Sequence, residues 1–392
     1  MLELNKIHNI DCLDGLKLLD DNSIDSIVTD PPYELGFMGK AWDSTGIAYN
    51  VEVWQECLRV LKPGGHLLAF GGTRTYHRMA CAIEDAGFEI RDQIQWIYGS
   101  GFPKSYNISK GIDKKQGAER EVVGEYKHPT AKNGKRTGSK SPFQAEDSPL
   151  DGSYQITTST TNEAKQWDGW GTALKPANEP IVVARKPLSE KTVAENVLKW
   201  GTGGININDC RVGETGARNN GSKPREDGYA KNDIYGKYKP TERVDYNQGR
   251  FPANVILDEE AGKMMDEQSG ERKAGGKVKG SEPSKTGQNG IYHIWERVEN
   301  QPFNDTGGAS RFFYCAKASK KERGEGNNHP TVKPISLIKY LITLVTPPDG
   351  ICLDPFEGSG THSIACKELD FQYIGFELDE KYCQIAETRL SI

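Results

Sequence analysis

The chain has 392 residues, enough for one large domain or two ordinary ones around a sizeable core. Only 35% of residues are apolar, 27% are charged and 43 are glycine, which fits a packed core carrying long polar insertions rather than disorder throughout. The net charge of −5 excludes a uniformly basic coat but leaves room for local basic patches.

Eight cysteines stand at 12, 57, 81, 210, 315, 352, 366 and 383, and none forms a C-x-x-C pair. Zinc ligands usually come closely spaced, so no metal site is expected. The scatter suits a reducing cytoplasm better than a disulfide framework. The N-terminal MLELNKIHNI lacks the apolar centre of a secretion signal, and no run of eighteen apolar residues occurs. The expected location is the cytoplasm.

In chain order, SIDSIVTD (23–30) reads as a strand. VEVWQECLRVLKPGG (51–65) reads as a helix with Val53, Trp54, Cys57, Leu58 and Leu61 on one face, stopped by Pro63-Gly64-Gly65. HLLAFGG is the next strand, TYHRMACAIEDAGF the next helix and IRDQIQWIY the next strand. This alternation predicts a parallel sheet with right-handed crossovers. The pattern then dissolves into a Lys-, Gly-, Ser- and Asn-rich stretch up to about 170. EPIVVARKP (179–187) is again a strand. From 188 to about 310 the sequence is mixed, with FPANVIL set among glycine-rich runs. Order returns at SRFFYCAKAS (310–319). Helix PISLIKYLITLV follows, then strand GICLDPF, helix THSIACKEL, strand FQYIGFEL and helix EKYCQIAETRL.

Neither end has enough strands for a stable open sheet, so both are expected to join in one doubly wound, mostly parallel Rossmann-like α/β sheet. The expected parts are 1–105 and 310–392 as core halves, 106–170 as a polar basic insertion, 171–187 as a core strand and 188–309 as a loop-rich recognition region.

The turn Phe356-Glu357-Gly358-Ser359-Gly360 joins a strand to the helix opening at Thr361. Its glycines let a ligand approach the backbone, and the helix start offers free N–H groups. Seventeen residues on, Glu377 ends the next strand, where a carboxylate can accept both hydroxyls of a ribose. The spacing is not G-x-G-x-x-G and no P-loop lysine follows. A ribose-bearing ligand without a phosphate to cradle fits, and S-adenosylmethionine is one, with Asp354 facing its ammonium. The same glycines would also serve a tight helix start with no ligand.

Asp30-Pro31-Pro32-Tyr33 ends an apolar strand. As a bare turn it is ordinary. At the carboxyl end of a parallel strand, where such sheets bind ligands, it presents a carboxylate, a carbonyl and a ring on a stiffened backbone. An exocyclic base amine is a poor nucleophile with two N–H donors. Accepted by Asp30 and the Pro31 carbonyl, its nitrogen is drawn toward tetrahedral geometry, while Tyr33 stacks on the base.

These residues resemble the amino-methyltransferases of DNA, which methylate adenine N6 or cytosine N4. The order is that of their β class, with D-P-P-Y N-terminal and F-x-G-x-G C-terminal. HNIDCLDGL (8–16) and HPTVKP (329–334) match as well. The resemblance implies that Asp11 and Cys12 meet the cofactor adenine and that Phe356 lies against the cofactor. It implies that Gly358, Ser359, Gly360 and Thr361 form its turn and that Glu377 holds its ribose. The helix after Lys333 should wall the methionine end. Glu357 departs from the small or apolar residue expected there.

A target amine inside a duplex must flip out, which calls for a phosphate-gripping surface. Residues 101–140 carry ten basic and four acidic residues, and 311–323 five and one. Lys40, Phe102, Lys104 and Arg311 are the expected DNA contacts, with GFMGKAWD (36–43) as a lid; solvated loops are the alternative. Double-stranded DNA is the expected partner, alongside a second copy of the chain and a cognate restriction endonuclease. Adenine N6 is favoured over cytosine N4 because cytosine enzymes of this kind more often resemble S-P-P-Y. A DNA-binding module without catalysis, or an RNA or protein methyltransferase, are the other readings.

Overall fold

The computed structural model describes residues 2–35, 44–101, 105–127, 153–213, 217–218, 245–246, 249–273, 305–317 and 332–391. They divide into two compact units, Met1–Ser100 with Ala177–Ile392, and Gly101–Pro176.

Among the described residues, the first unit is built on one nine-stranded sheet. Its strands are β1 (Lys6–Asn9), β2 (Ile24–Thr29), β3 (Leu61–Phe70), β4 (Glu89–Ile97), β5 (Asn178–Arg185), β6 (Val255–Asp258), β7 (Tyr314–Ala316), β8 (Ile351–Asp354) and β9 (Gln372–Glu377). Their order across the sheet is β1-β9-β8-β2-β3-β5-β4-β6-β7, so the two chain ends do join. Every neighbouring pair is parallel except the two made by β5, which runs against both β3 and β4.

The helices are α1 (Cys12–Lys17), α2 (Val51–Val60), α3 (Tyr76–Asp85), α4 (Val193–Trp200), α5 (Glu259–Ser269), α6 (Ile335–Val345), α7 (Thr361–Glu368) and α8 (Glu380–Leu390). Strand residues alternate between two apolar clusters, as period-two geometry requires. Ile27, Leu67, Ala69 and Val182 face a cluster with Leu16, Trp54 and Ile83, whereas Val28, Leu68, Phe70 and Ile181 face one with Leu337, Leu341 and Cys366. Covering both faces explains why the strands read as unbroken apolar runs.

Two readings change. Helix α2 stops at Val60, and Leu61 through Gly65 already belong to β3. A shift in the β2–β3 register between Ile24 and Ser26 takes up the extra residues, with Gly64 at φ +82°. Such a bulge tolerates Pro63 and needs the glycine. Within 188–309, FPANVIL supplies β6, a sheet strand, and α4 is pinned to β3 by Asn196, whose Nδ2 donates to the Pro63 carbonyl at 2.8 Å.

The Gly101–Pro176 unit is not patternless. It holds helices Ile108–Gln116 and Asn162–Gln166 and a hairpin pairing Val122–Lys127 with Ser153–Thr157. Its centre is polar. The buried Asp113 carboxylate accepts from Arg120 at 2.6 Å, from the Thr160 and Thr161 amides at 3.1 and 3.0 Å, and from the Thr161 hydroxyl at 2.8 Å. Burial alone would raise this acid, but the donors hold it at about 2.

Candidate active site

Three acids converge because three neighbouring strands are parallel. Glu377 ends β9, Asp354 ends β8 and Asp30 follows β2, and these strands lie side by side. Leu353 pairs with both Ile27 and Ile374, so Asp30, Phe356 and Glu377 each stand three residues beyond one level. Two strand spacings separate the outer acids, roughly 10 Å. The Thr29 hydroxyl donates to Asp354 Oδ1 at 2.6 Å and joins the two strands at this edge. The Phe356 amide donates to the same oxygen at 2.9 Å. Burial, and then Glu357, pushes the Asp354 carboxyl up to about 8.

At the first motif, Lys333 Nζ donates to Asp30 Oδ2 at 2.7 Å and to Tyr33 Oη at 3.1 Å. It also lies 3.2 Å from Glu179 Oε2. Tyr33 Oη donates to that Glu179 oxygen at 2.8 Å, and the Thr75 hydroxyl donates to the Tyr33 carbonyl at 2.7 Å. The Lys333 ammonium stands 5.2 Å from the Tyr33 ring centre and 4.9 Å from that of Phe70. Burial would lower this lysine, but the Asp30 and Glu179 carboxylates hold it raised. Asp30 Oδ1 is buried and has no hydrogen-bond partner among the described residues. Lys333, expected on the cofactor side, reaches the D-P-P-Y carboxylate with its ammonium. Glu179 was missed, and its only sequence signal is an acid opening an otherwise apolar strand.

At the second motif, Gly358 and Gly360 take φ +59° and +84°. A Cβ on Gly360 would meet Ala386 Cβ at 2.7 Å, so the turn packs against α8 without room for a side chain. Glu377 Oε2 accepts from the Gly358 amide at 2.9 Å and Oε1 from the Asp379 amide at 2.7 Å. Burial still drives this acid up to about 7. Arg389 Nη1 donates to Thr361 Oγ1 at 3.3 Å and to Ser359 through its carbonyl and hydroxyl, fixing the turn from α8.

The unexplained Glu357 points inward. Its Oε1 accepts from the Ser363 amide at 2.9 Å, and Oε2 meets His362 Nδ1 at 3.1 Å. Gly375 opposite cannot carry a Cβ, which would stand 2.5 Å from that oxygen. Behind it, His362 Nε2 lies 3.5 Å from Cys366 Sγ, and these two and Cys352 are mutually within 4.8 Å, all buried. Spacing rules missed this cluster because Cys352 comes from a strand and the other two from successive turns of α7. Among the described residues it offers three ligand atoms, one fewer than the usual four of a structural zinc centre.

Asp11 caps α1, accepting from the Leu13 and Asp14 amides at 2.9 and 3.4 Å. The Cys12 thiol is buried and pushed up to about 12, chiefly by burial. Phe356 faces Trp54, ring centres 6.5 Å apart. Arg311 spends its guanidinium on Asp305 and on the Gly307 and Gly308 carbonyls, and lies 4.5 Å over Phe312. Lys40, Phe102 and Lys104, the lid 36–43, and residues 128–140 and 318–323 of the basic tracts lie outside the described residues. Among the described residues no helix is long and apolar enough to cross a membrane.

The chain is similar to the Type II methyltransferase M.HindIII of Haemophilus influenzae, at 24% identity over 98% of this chain and 95% of that one. It is 36% identical over 105 residues to the Type II methyltransferase M.HpaI of Haemophilus parainfluenzae, covering 25% of this chain and 33% of the other. Among solved structures it resembles the M1.HpyAVI–SAM complex at 17% identity and TM-score 0.41, over 98% and 99% of the two chains. The PvuII cytosine-N4-specific DNA methyltransferase matches at 12% identity and TM-score 0.46, over 98% and 87%. Residues 24–388 match the N6/N4 methyltransferase profile, described as DNA methylase. The chain belongs to this family and is an S-adenosylmethionine-dependent DNA methyltransferase.

Proposed function

We propose that the protein methylates the N6 amine of adenine at a specific site in duplex DNA, with the base flipped out of the helix. The observation that carries this reading is Asp30 Oδ1, a buried carboxylate oxygen without a partner among the described residues, beside a tyrosine ring and two strands away from Glu377. A buried acceptor left open is costly unless a ligand supplies the donor.

The residues suit the cofactor. The turn at Gly358 and Gly360 presents bare backbone, and Asp354 and Glu377 are acids that burial has raised and that a cation and two hydroxyls would favour in charged form. When bound, S-adenosylmethionine supplies an electrophilic methyl on a sulfonium that leaves as a neutral thioether. Asp30 Oδ1 accepts one N–H of the target amine and the Pro31 carbonyl the other, which turns the nitrogen lone pair out of the ring. Tyr33 stacks on the base, worth about 1–3 kcal/mol. Once the nitrogen carries its new methyl, a proton leaves it to Asp30 Oδ1 and then to solvent, so Asp30 need not be a strong base.

Adenine is favoured over cytosine N4 because position 30 is Asp rather than Ser. Labelled S-adenosylmethionine with adenine-only and cytosine-only duplex cassettes, followed by mass spectrometry of the nucleosides, tests the assignment. N6-methyladenine is expected; N4-methylcytosine alone would overturn it. The relatives named Type II methyltransferases suggest a cognate restriction endonuclease, with the enzyme acting on cytoplasmic DNA as a monomer or a pair. Recognition falls to residues 188–309 outside the sheet, phosphate grip to Lys40 and the basic tracts, and closure over the flipped base to Phe102 and Lys104.

A further inference from the structure

Eight strands of the sheet deliver their last residues to the active edge. Strand β5 is reversed, so it delivers its first, and Glu179 is the second residue of that strand. Its side chain meets Tyr33 Oη at 2.8 Å and Lys333 Nζ at 3.2 Å, both through Oε2. Trp96, its register partner on β4, and Phe70 on β3 enclose the region with apolar surface.

The ammonium of Lys333 has three N–H donors and finds three acceptors: Asp30 Oδ2, Tyr33 Oη and Glu179 Oε2. Lysine is a point charge on a flexible stem, and nothing in its own geometry limits it to one oxygen of Asp30. With Glu179 removed, Asp30 would be its sole carboxylate partner among these contacts. The ammonium could then straddle both oxygens and occupy the acceptor that the amine needs. Glu179 also sets the local charge. Two carboxylates and one ammonium leave a single negative charge beside a nitrogen that becomes positive during transfer; without Glu179 the surplus vanishes.

We infer that Glu179 is a positioning residue of the methyl-transfer site. It anchors Lys333 and Tyr33, so that Lys333 takes only Oδ2 of Asp30 and leaves Oδ1 open for the target amine. This rests on the proposed role of Asp30. Glu179 acts through the two groups its carboxylate meets, Lys333 and Tyr33.

The test compares wild type, Glu179→Gln, Lys333→Met and the double variant. Three quantities are read: S-adenosylmethionine affinity by calorimetry, melting temperature, and the single-turnover rate of label transfer to unmethylated genomic DNA at saturating cofactor. Glu179→Gln keeps the shape and an acceptor for Tyr33 while removing the charge. It should lower the rate about ten- to a hundredfold, in the range of a misplaced reacting group. Cofactor affinity should stay within about twofold, since the cofactor turn lies on other strands. In the Glu179→Gln background Lys333→Met should cost less than in wild type, because the cation it removes is no longer held in place.

An unchanged rate in Glu179→Gln, or strictly additive losses in the double variant, would overturn the inference. So would a rate loss matched by an equal loss of cofactor affinity. Wild-type protein that binds cofactor but transfers no label to DNA would instead sink the proposed function, and the wild-type arm separates the two failures.

Discussion

The Thr29 hydroxyl donates to the Asp354 carboxylate across 325 residues of sequence, at 2.6 Å. This bond ties the strand that carries Asp-Pro-Pro-Tyr to the strand that carries the glycine turn. Thr29→Val keeps the shape and removes the donor, leaving a buried carboxylate with one amide partner on Oδ1. The expected cost is about 1–3 kcal/mol. It should be larger at pH 9 than at pH 6, because only the ionised acid, with Asp354 pushed up to about 8, lacks a donor of its own. Thermal melts of both proteins at the two pH values check this. Equal losses at both would mean that the bond serves packing rather than charge.

The raised acids give a pH signature. Asp354 and Glu377 sit at about 8 and about 7 in the folded chain, well above the ordinary carboxylate value near 4. Between those limits the folded state holds protons that the unfolded chain has released, so their contribution to stability is present at low pH and fades as pH rises through 7 and 8. A bound cation with two ribose hydroxyls favours the charged forms. Cofactor binding at pH 7 should therefore release protons, read as a dependence of the calorimetric heat on buffer ionisation enthalpy. Heats that do not vary between phosphate and Tris would contradict the placement of these acids at the cofactor.

Glu377→Gln should weaken cofactor affinity about 10- to 100-fold, the weight of a hydrogen bond to a charged group. The fold should survive, because Gln still offers one oxygen to a backbone amide. Titration curves that overlay those of wild type would place the ribose elsewhere.

Gly360→Ala tests the turn itself. The added methyl must occupy a φ of +84° and meets Ala386 at 2.7 Å. Strain of about 1–3 kcal/mol is expected, together with lost cofactor binding, since relief requires moving the turn away from α8. Calorimetry and melting temperature read both effects.

Both turns were legible because their residues are contiguous: four make the Asp-Pro-Pro-Tyr turn and five make the glycine turn. The strands beneath them were legible as apolar runs, since a sheet covered on both faces needs apolar residues at every position. The reversal of β5 was not, because a strand's direction leaves no mark on its composition. Glu179 was hidden for that reason: on a parallel strand it would have faced the opposite edge. The contacts of Lys333 with Asp30 and Glu179 were not legible because a four-carbon stem ending in a point charge can reach several partners, and only the tertiary arrangement chooses. The Glu357–His362 pair was invisible because Glu357 looks like an isolated departure until α7 turns His362 toward it. The Gly101–Pro176 unit was read as patternless because its centre is a hydrogen-bonded carboxylate, Asp113, while Val122, Val123 and Ile156 are exposed.

The sharpest test is Asp30→Asn. The amide matches the carboxylate in size but carries no charge, and in one orientation it turns an N–H toward the target amine instead of an acceptor. It also leaves Lys333 with Glu179 as its sole carboxylate partner among the contacts of this site, so the ammonium is still neutralised and the fold should hold. Transfer should fall about 10²–10³-fold, the range for removing one preorganised electrostatic contact. Cofactor affinity should change little, because Asp354, Glu377 and the glycine turn lie on β8 and β9. A single-turnover rate equal to wild type would show that the amine is oriented by something other than residue 30. Loss of cofactor binding in step with the rate would show that Asp30 belongs to the cofactor pocket instead.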